Sequence, residues 1–313
     1  DNNIDIEVLR GESLGLAMGA AMGRVRRDAD GLSSLLVTGQ AAGQTSEGLA
    51  YMQAAPLEEG LKATFANWQA EGDFSAEIEV LVPFNQGNAA ADIRLDMAVA
   101  NNHLIVPDYD LDVSALTGPI IFDTRSGLEP SRLEGTAFGD AVEINLSSIA
   151  EAGDIQTITI DASGRTTPEE MIAWPRQSTF IRDLLAHMSG EFAYQASMLI
   201  DQGSSASQNN RLIIDTSLAG AELALPFPFN KGAEEEMPLH VELDFTEGAQ
   251  QVSGTLGESL QYELGLEDGV ITSGLVLLGR EMPEADLLSG SGDEGLIVLG
   301  EIERFDLQPW TDF

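Results

Sequence analysis

The chain has 313 residues, and 43% of them are hydrophobic, so its length allows one large β domain or two smaller ones with a substantial core. With 52 acidic and 15 basic residues, its formal net charge of −37 repels phosphate backbones and argues against nucleic acid as a partner. The lack of cysteine excludes disulfides, thiolate metal sites and cysteine nucleophiles. The first residue is Asp1 rather than Met, and we therefore expect one continuous segment, 1–313, of a longer protein.

The N-terminal region is predicted to form strands. Apolar and acidic residues alternate over 4–9. Gly15, Gly19 and Gly23 then form two overlapping G-x-x-x-G steps, a spacing that packs helices in membranes. The apolar run around them, 14–22, is only about half as long as a membrane span, and basic residues follow at once. We therefore interpret this stretch as a glycine-rich strand.

Two helical segments are predicted next. A short helix is expected over 46–53, and a longer helical insert is expected over 56–70. In the longer segment Leu57, Leu61 and Phe65 recur every four residues, which places them on one helix face. A glycine just beyond the segment is a typical helix stop.

The next region has the clearest strand pattern in the chain. Residues 76–82 and 93–99 alternate apolar and mostly charged side chains, so the two kinds of residue lie on opposite faces of a sheet. Further strand candidates in this region are 104–106, 119–123, 142–146 and 155–161.

A second helical insert is predicted over 168–189. Thr167 can cap its N-terminus, Pro168 suits the first helical position, and Glu170 completes a capping box with Thr167. Pro175 is expected to kink or break this helix.

The C-terminal part returns to strands. Apolar and polar residues alternate throughout 239–245, and turn signals such as Glu-Asp-Gly at 267–269 separate the segments. One-sided strands joined by short turns indicate antiparallel pairing rather than the buried parallel sheets of α/β enzymes. The other candidates are 192–200, 211–216, 221–225, 252–256, 260–266, 270–278 and 296–307.

One motif suggests catalysis. The five residues 11–15 match the G-x-S-x-G nucleophile elbow around Ser13, and a candidate strand precedes them. That motif belongs to parallel α/β sheets with a His-Gly oxyanion segment, and the sequence has neither. A serine esterase using Ser13 is therefore a remote alternative, and we expect a protein that is not an enzyme.

Metal and cofactor sites are not predicted. His103 lies in an expected turn, His187 on a predicted helix and His240 on the polar face of a strand, without the spacing of a zinc site. The acidic stretches lack the calcium-loop pattern, and no phosphate-binding loop is present. We expect no cofactor.

The alternating strands leave an apolar face to be covered. Two helical regions are too few for this number of strands, so either two sheets pack as a β-sandwich or the sheet curls around an apolar molecule from outside. Aliphatic side chains on such a face would suit acyl chains, because each buried methylene contributes about 0.8 kcal/mol. The residues expected on this face are Ile78, Val80, Ile93, Leu95, Met97, Val99, Val241, Leu243 and Phe245.

The order of several motifs resembles the periplasmic region of YhdP-like members of the AsmA-like family. Residues 109–122 are similar to a strand pair of pattern sxLxGxxxF, and 218–231 to a segment of pattern dLxGxxxxLPxPxxK. Residues 55–57 and 82–84 resemble an earlier sPL…G…iPL stretch, and 295–310 resemble a closing strand pair that ends in tryptophan.

This resemblance implies a mainly β fold with a few helices, in which a long twisted antiparallel sheet curls into a hydrophobic groove. It implies a non-enzymatic segment of a bridge-like phospholipid transporter that supports the envelope barrier. The implied location is the periplasm, in a parent protein anchored to the inner membrane by a helix absent from this chain. Implied partners are phospholipid acyl chains, flanking segments of the parent chain and envelope proteins. The alternative is a structural or adhesive β-rich envelope module.

Overall fold

The computed structural model of the chain is dominated by strands. By contact it divides into two compact units, which are described separately below. The first comprises Asp1–Ala137, Glu143–Ile160 and Asp201–Ser204, and the second comprises the remaining segments. The structure describes residues 5–8, 11–13, 16–27, 33–54, 62, 65–84, 91–151, 154–174, 179–201, 210–246, 249–267, 270–279 and 295–301.

The first unit is built from antiparallel strands that pair with near neighbours in the chain. One helix, α1 (Thr45–Ala54), follows β5, close to the position predicted for a short helix. The strands are β1 (Asp5–Val8), β2 (Gly11–Ser13), β3 (Leu16–Met18), β4 (Ala21–Arg27), β5 (Ser33–Gln44), β6 (Gln69–Glu71), β7 (Asp73–Pro83), β8 (Asp92–Val106), β9 (Leu111–Asp123), β10 (Gly127–Leu128) and β11 (Ser131–Ala137). A short 3₁₀ turn, Pro107–Tyr109, joins β8 to β9.

Two long strands, β12 (Asp140–Glu151) and β13 (Asp154–Thr166), contain residues of both units. The second unit continues with helices α2 (Pro168–Ile172) and α3 (Thr179–Leu185). Its further strands are β14 (Met188–Gly190), β15 (Phe192–Asp201), β16 (Asn210–Thr216), β17 (Ala221–Leu223), β18 (Leu239–Thr246), β19 (Ala249–Leu256), β20 (Leu260–Glu267), β21 (Val270–Leu278) and β22 (Gly295–Gly300).

Among the described residues, 20 strands belong to one large sheet, and β14 and β17 form a separate two-stranded sheet. The prediction of a mainly β chain with a few helices and one large sheet is confirmed. One pairing departs from the antiparallel prediction, because β21 and β22 are parallel. A parallel pair needs a crossover of about a dozen residues or more, and the chain between these two strands is long enough for one.

The core of the first unit lies on one sheet face. Leu16, Phe74, Val99 and Leu133 are buried together there, and Leu133 is only 1% exposed. Gly118 lies beside Leu133 with φ of +148°, and an added Cβ would lie 2.7 Å from the Arg132 carbonyl oxygen. This close approach of β9 to β11 therefore requires glycine.

The core of the second unit joins the helices to β17. Phe192, Leu218 and Leu223 are buried there, and Met171 and Leu184 of the two helices pack against them. Lys231 is 2% exposed, and its Nζ donates hydrogen bonds to the carbonyl oxygens of Ala221 and Gly232, the latter at 3.0 Å. Burial lowers the pKa of Lys231. The buried ammonium thus fastens the loop after β17 to that strand.

The predicted capping box is confirmed. Thr167 Oγ1 accepts a hydrogen bond from Glu170 N at 3.3 Å, and the Glu170 carboxylate accepts one from Thr167 N at 3.0 Å. The insert 168–189 does not stay helical to its end, because Met188 pairs with Leu223 in a strand.

The first helical insert is only partly described. Most of 56–70 lies outside the described residues, and the helix prediction is wrong at its end. Residues 65–67 form a turn, and Gln69 and Ala70 begin β6, where Ala70 pairs with Leu104 of β8. Backbone pairing with β8 therefore replaces the last predicted helical turn.

We expect Leu133→Ala to lower the free energy of unfolding by about 2–5 kcal/mol, because it leaves a cavity in the core of the first unit. Urea denaturation measures the change. Glu134→Ala is the matched control, since Glu134 is the exposed neighbour on the same strand and should cost less than about 0.5 kcal/mol. Equal losses in the two variants would contradict this assignment of the core.

Candidate functional site: the apolar sheet faces

Six of the nine predicted residues lie side by side on β7 and β8. Ile78 is opposite Leu95, and Val80 is opposite Ile93. Directly opposed residues of antiparallel strands project from the same sheet face. The remaining two, Met97 and Val99, continue this face opposite alanine and phenylalanine side chains of β7.

The same face extends onto the neighbouring strands. On one side, Val37 of β5 is opposite Val80. On the other side, Phe122 and Ile120 of β9 are opposite Leu95 and Met97. The face is therefore apolar across four consecutive strands of the first unit.

This face is only partly covered. Of the six residues here, Val99 is buried at 5% exposure, and the other five are half-buried. Half-buried aliphatic side chains retain contact with solvent and could gain further burial from an apolar molecule. Towards β3 the same cluster is closed, because Leu16 and Phe74 are buried there.

The three predicted residues of the second unit form an equivalent face. Val241 of β18 is opposite Ile214 of β16, and Leu243 is opposite Leu212. Phe245 has the polar neighbours Asn210 and Gln250, so the apolar face ends there. All three predicted residues are half-buried.

Tyr262 is a member of this second face that the sequence prediction did not single out. It lies opposite Gly254 of β19, which in turn lies opposite Val241. Burial raises the pKa of Tyr262 to about 12. The alternation of Leu260, Tyr262 and Leu264 with polar residues and glycine carries the signal that could have identified it.

Opposite the apolar face of the first unit, β7 and β8 carry charged side chains. Arg94 contacts Asp96 at 3.2 Å and donates hydrogen bonds to the Glu129 carboxylate. Its guanidinium lowers the pKa of Glu129 through these bonds. The two faces of the sheet therefore differ sharply in polarity.

The second unit has the same division. His240 Nδ1 lies 2.7 Å from Asp215, and Arg211 contacts Glu242 at 2.9 Å and Asp244 at 3.1 Å. These residues alternate along their strands with the apolar ones, which confirms the prediction that His240 lies on a polar face.

His103 is not in a turn. It lies within β8, opposite Glu71, and its Nε2 is 2.7 Å from Asp112. A register shift after Val99, with Asn101 at positive φ, explains the turn-like sequence. His103 borders a cavity of about 470 Å³ beside α1, whose lining contains none of the nine predicted residues.

The catalytic alternative finds no support in the backbone around Ser13. Ser13 ends β2, which pairs with β3 in an antiparallel register, whereas the nucleophile elbow requires a turn from a strand into a helix.

His187 follows α3 in a turn instead of lying within the helix. Within the described ranges, no three potential metal ligands come together. No described helix is both long and apolar enough to span a membrane.

Comparison with known proteins adds a family-level match. A family model described as YhdP protein matches residues 18–313. The chain is also 23% identical, over 207 residues, to the protein named intermembrane phospholipid transporter YhdP from Escherichia coli (strain K12). The alignment covers 66% of this chain and 16% of that relative, so the chain spans about a sixth of its length. No solved structure matches.

We expect Tyr262 to ionise near pH 12, above the ordinary tyrosine value of 10.0. Because its pKa is raised in the folded state, its contribution to stability is complete below about pH 10 and is lost as the pH rises towards 12. Ultraviolet titration of tyrosinate measures this, and Tyr262→Phe should remove the step at the highest pH. A titration of Tyr262 at the ordinary value would contradict the burial of its ring.

Proposed function

From the premise that this chain belongs to the YhdP family, we propose that its two apolar sheet faces bind phospholipid acyl chains. The protein is then a non-enzymatic, lipid-binding segment of a larger phospholipid transporter. The lipid-facing residues in the first unit are those on β7 and β8: Ile78, Val80, Ile93, Leu95, Met97 and Val99. In the second unit they are Val241, Leu243 and Phe245 of β18.

The observation that carries this proposal is the incomplete burial of an aliphatic face. Eight of the nine residues are half-buried, and most of their neighbours across the strands are apolar. An acyl chain laid on such a face gains about 0.8 kcal/mol for each methylene that leaves water. Contact of these side chains with water gives no comparable gain in free energy, so binding of an apolar molecule is favoured.

The finer proposal places the segment in a bridge between two membranes. The relative's name, intermembrane phospholipid transporter, supports this, and so does the small part of its length that the chain spans. We propose a periplasmic location, a parent protein anchored to the inner membrane, and a path for lipid towards the outer membrane that maintains the envelope barrier. No cofactor is needed, because burial alone drives lipid binding.

The flanking segments of the parent chain and envelope proteins are the proposed protein partners. Strand β22 supports such a contact, because it exposes apolar side chains on both faces. Leu296 and Val298 project from one face and are 53% and 54% exposed. Ile297 and Leu299 project from the other face and are 46% and 47% exposed. Apolar exposure on both faces of one strand suits a strand that packs against further protein. The same observation favours the alternative of a structural or adhesive envelope module.

Lipid binding is tested with a probe on each face of the same strand. The chain has no cysteine, so Val80→Cys and Glu79→Cys each create one labelling site. With a polarity-sensitive fluorophore attached, the label at position 80 should shift to shorter wavelength when phospholipid vesicles are added. The label at position 79 should not, because Glu79 projects from the opposite face, where it is opposite Arg94.

Native mass spectrometry of the unlabelled chain provides the second readout, in which bound phospholipid should be detected. The proposal fails if neither label responds and the chain binds no lipid. Equal responses at both positions would indicate adsorption to vesicles rather than binding on one face. Circular dichroism of both variants checks that the β fold is retained.

A further inference from the structure

Tyr262 places a polar group on the otherwise apolar sheet face of the second unit. Along one row across the second unit, Tyr262 lies between Gly254 of β19 and Val276 of β21, and Val241 of β18 lies beyond the glycine. Leu264, two residues along the same strand, projects from the same face. The surroundings of the Tyr262 side chain on this face therefore carry no charge.

The Tyr262 ring lies flat across β19. A Cβ added to Gly254 would come within 2.9 Å of the Tyr262 Cζ and within 2.7 Å of its hydroxyl oxygen. The ring, together with the His240 carbonyl oxygen that the added Cβ would also meet, occupies the space that a side chain at Gly254 would need. The Tyr262 hydroxyl therefore lies over β19. The Leu264 side chain instead lies towards β21, on the other side of β20, since a Cβ added to Gly274 would lie 2.6 Å from Leu264 Cδ2.

The Tyr262 hydroxyl lacks a hydrogen-bond partner within the part of the chain that the structure describes. The hydroxyl oxygen is not enclosed by the protein, because it is not among the buried side-chain oxygens without a partner in the described part of the chain. An acceptor on the open side of the face can therefore reach it. At neutral pH, well below its pKa, the hydroxyl is protonated and can donate a hydrogen bond to an acceptor on a bound molecule.

The acceptor must be stable on an uncharged, apolar sheet face, and it should therefore be neutral. A phosphate group would need a cation, and the residues around Tyr262 supply none. An ester carbonyl is a neutral acceptor joined directly to an acyl chain, so it can reach the hydroxyl while the chain lies on the aliphatic side chains.

We propose that the Tyr262 hydroxyl donates a hydrogen bond to an ester carbonyl of a phospholipid whose acyl chains lie on the face formed by Val241, Leu243 and Leu264. Tyr262 is then a specificity-determining residue that favours ester-linked over ether-linked lipids. This inference rests on the proposed function, because it requires phospholipid on the second apolar face.

The test compares two phospholipids with the same headgroup and the same chain length, one a diester and the other a diether. The natural chain should bind the diester more tightly by about threefold to tenfold, the usual net value of one hydrogen bond. Tyr262→Phe should lose this preference by weakening diester binding and leaving diether binding unchanged. Thermal unfolding should be the same at neutral pH, since no described protein group loses a partner.

Tyr51→Phe is the matched control, because Tyr51 lies on the exposed helix α1 of the first unit and the chemical change is identical. This variant should keep the full preference for the diester. The inference is overturned if the natural chain binds the two lipids equally, or if Tyr262→Phe keeps the preference. Binding of neither lipid to the natural chain would instead refute the proposed function.

Discussion

The register of the antiparallel strands is the constraint on which the rest of the structure depends. Because side chains alternate between faces, a slip of one residue between β7 and β8 would bring charged residues to the apolar face along the whole strand. The opposition of Ile78 to Leu95 fixes this register in the first unit, and the opposition of Leu212 to Leu243 does so in the second. Ion pairs such as Arg94 with Asp96 act on the other face, where they are exposed and contribute little energy but keep that face hydrated.

This division of faces allows a strongly acidic chain to present an apolar surface. The net charge of −37 is carried by side chains such as Glu77 and Glu79, which lie on the hydrated face of β7. Like charges on that face repel a second copy of the chain, and salt reduces this repulsion. The aliphatic face carries no such charge, so an uncharged acyl chain can approach it without electrostatic cost.

The sequence predicts best what is locally encoded. The alternation in 76–82, 93–99 and 239–245 places its residues in strands, and Thr167 and Glu170 form the expected capping box, because in both cases the signal lies within a few neighbouring residues.

Strand β5 was not predicted, since small residues such as Gly39 and Ala41 provide no alternation and its partner β7 defines its faces. Partner strands likewise decide the end of the insert 56–70 and the bulge before His103, so residue patterns alone could not reveal them. Alternation alone could place the nine face residues on one side of their strands. Their partial burial depends on what the rest of the chain covers.

The chemistry of the two faces also bears on how a lipid could leave them. Contacts between methylenes and aliphatic side chains have no preferred direction, so an acyl chain can shift along such a floor while keeping most of its burial. A path that moves its cargo needs binding strong enough to remove lipid from water and weak enough to release it. Charged side chains on the floor would hold a headgroup in one place, and the strands keep them on the other face. The neutral hydroxyl proposed to bind the ester, that of Tyr262, is compatible with both needs, because one hydrogen bond would select the chemical linkage and yet be readily broken.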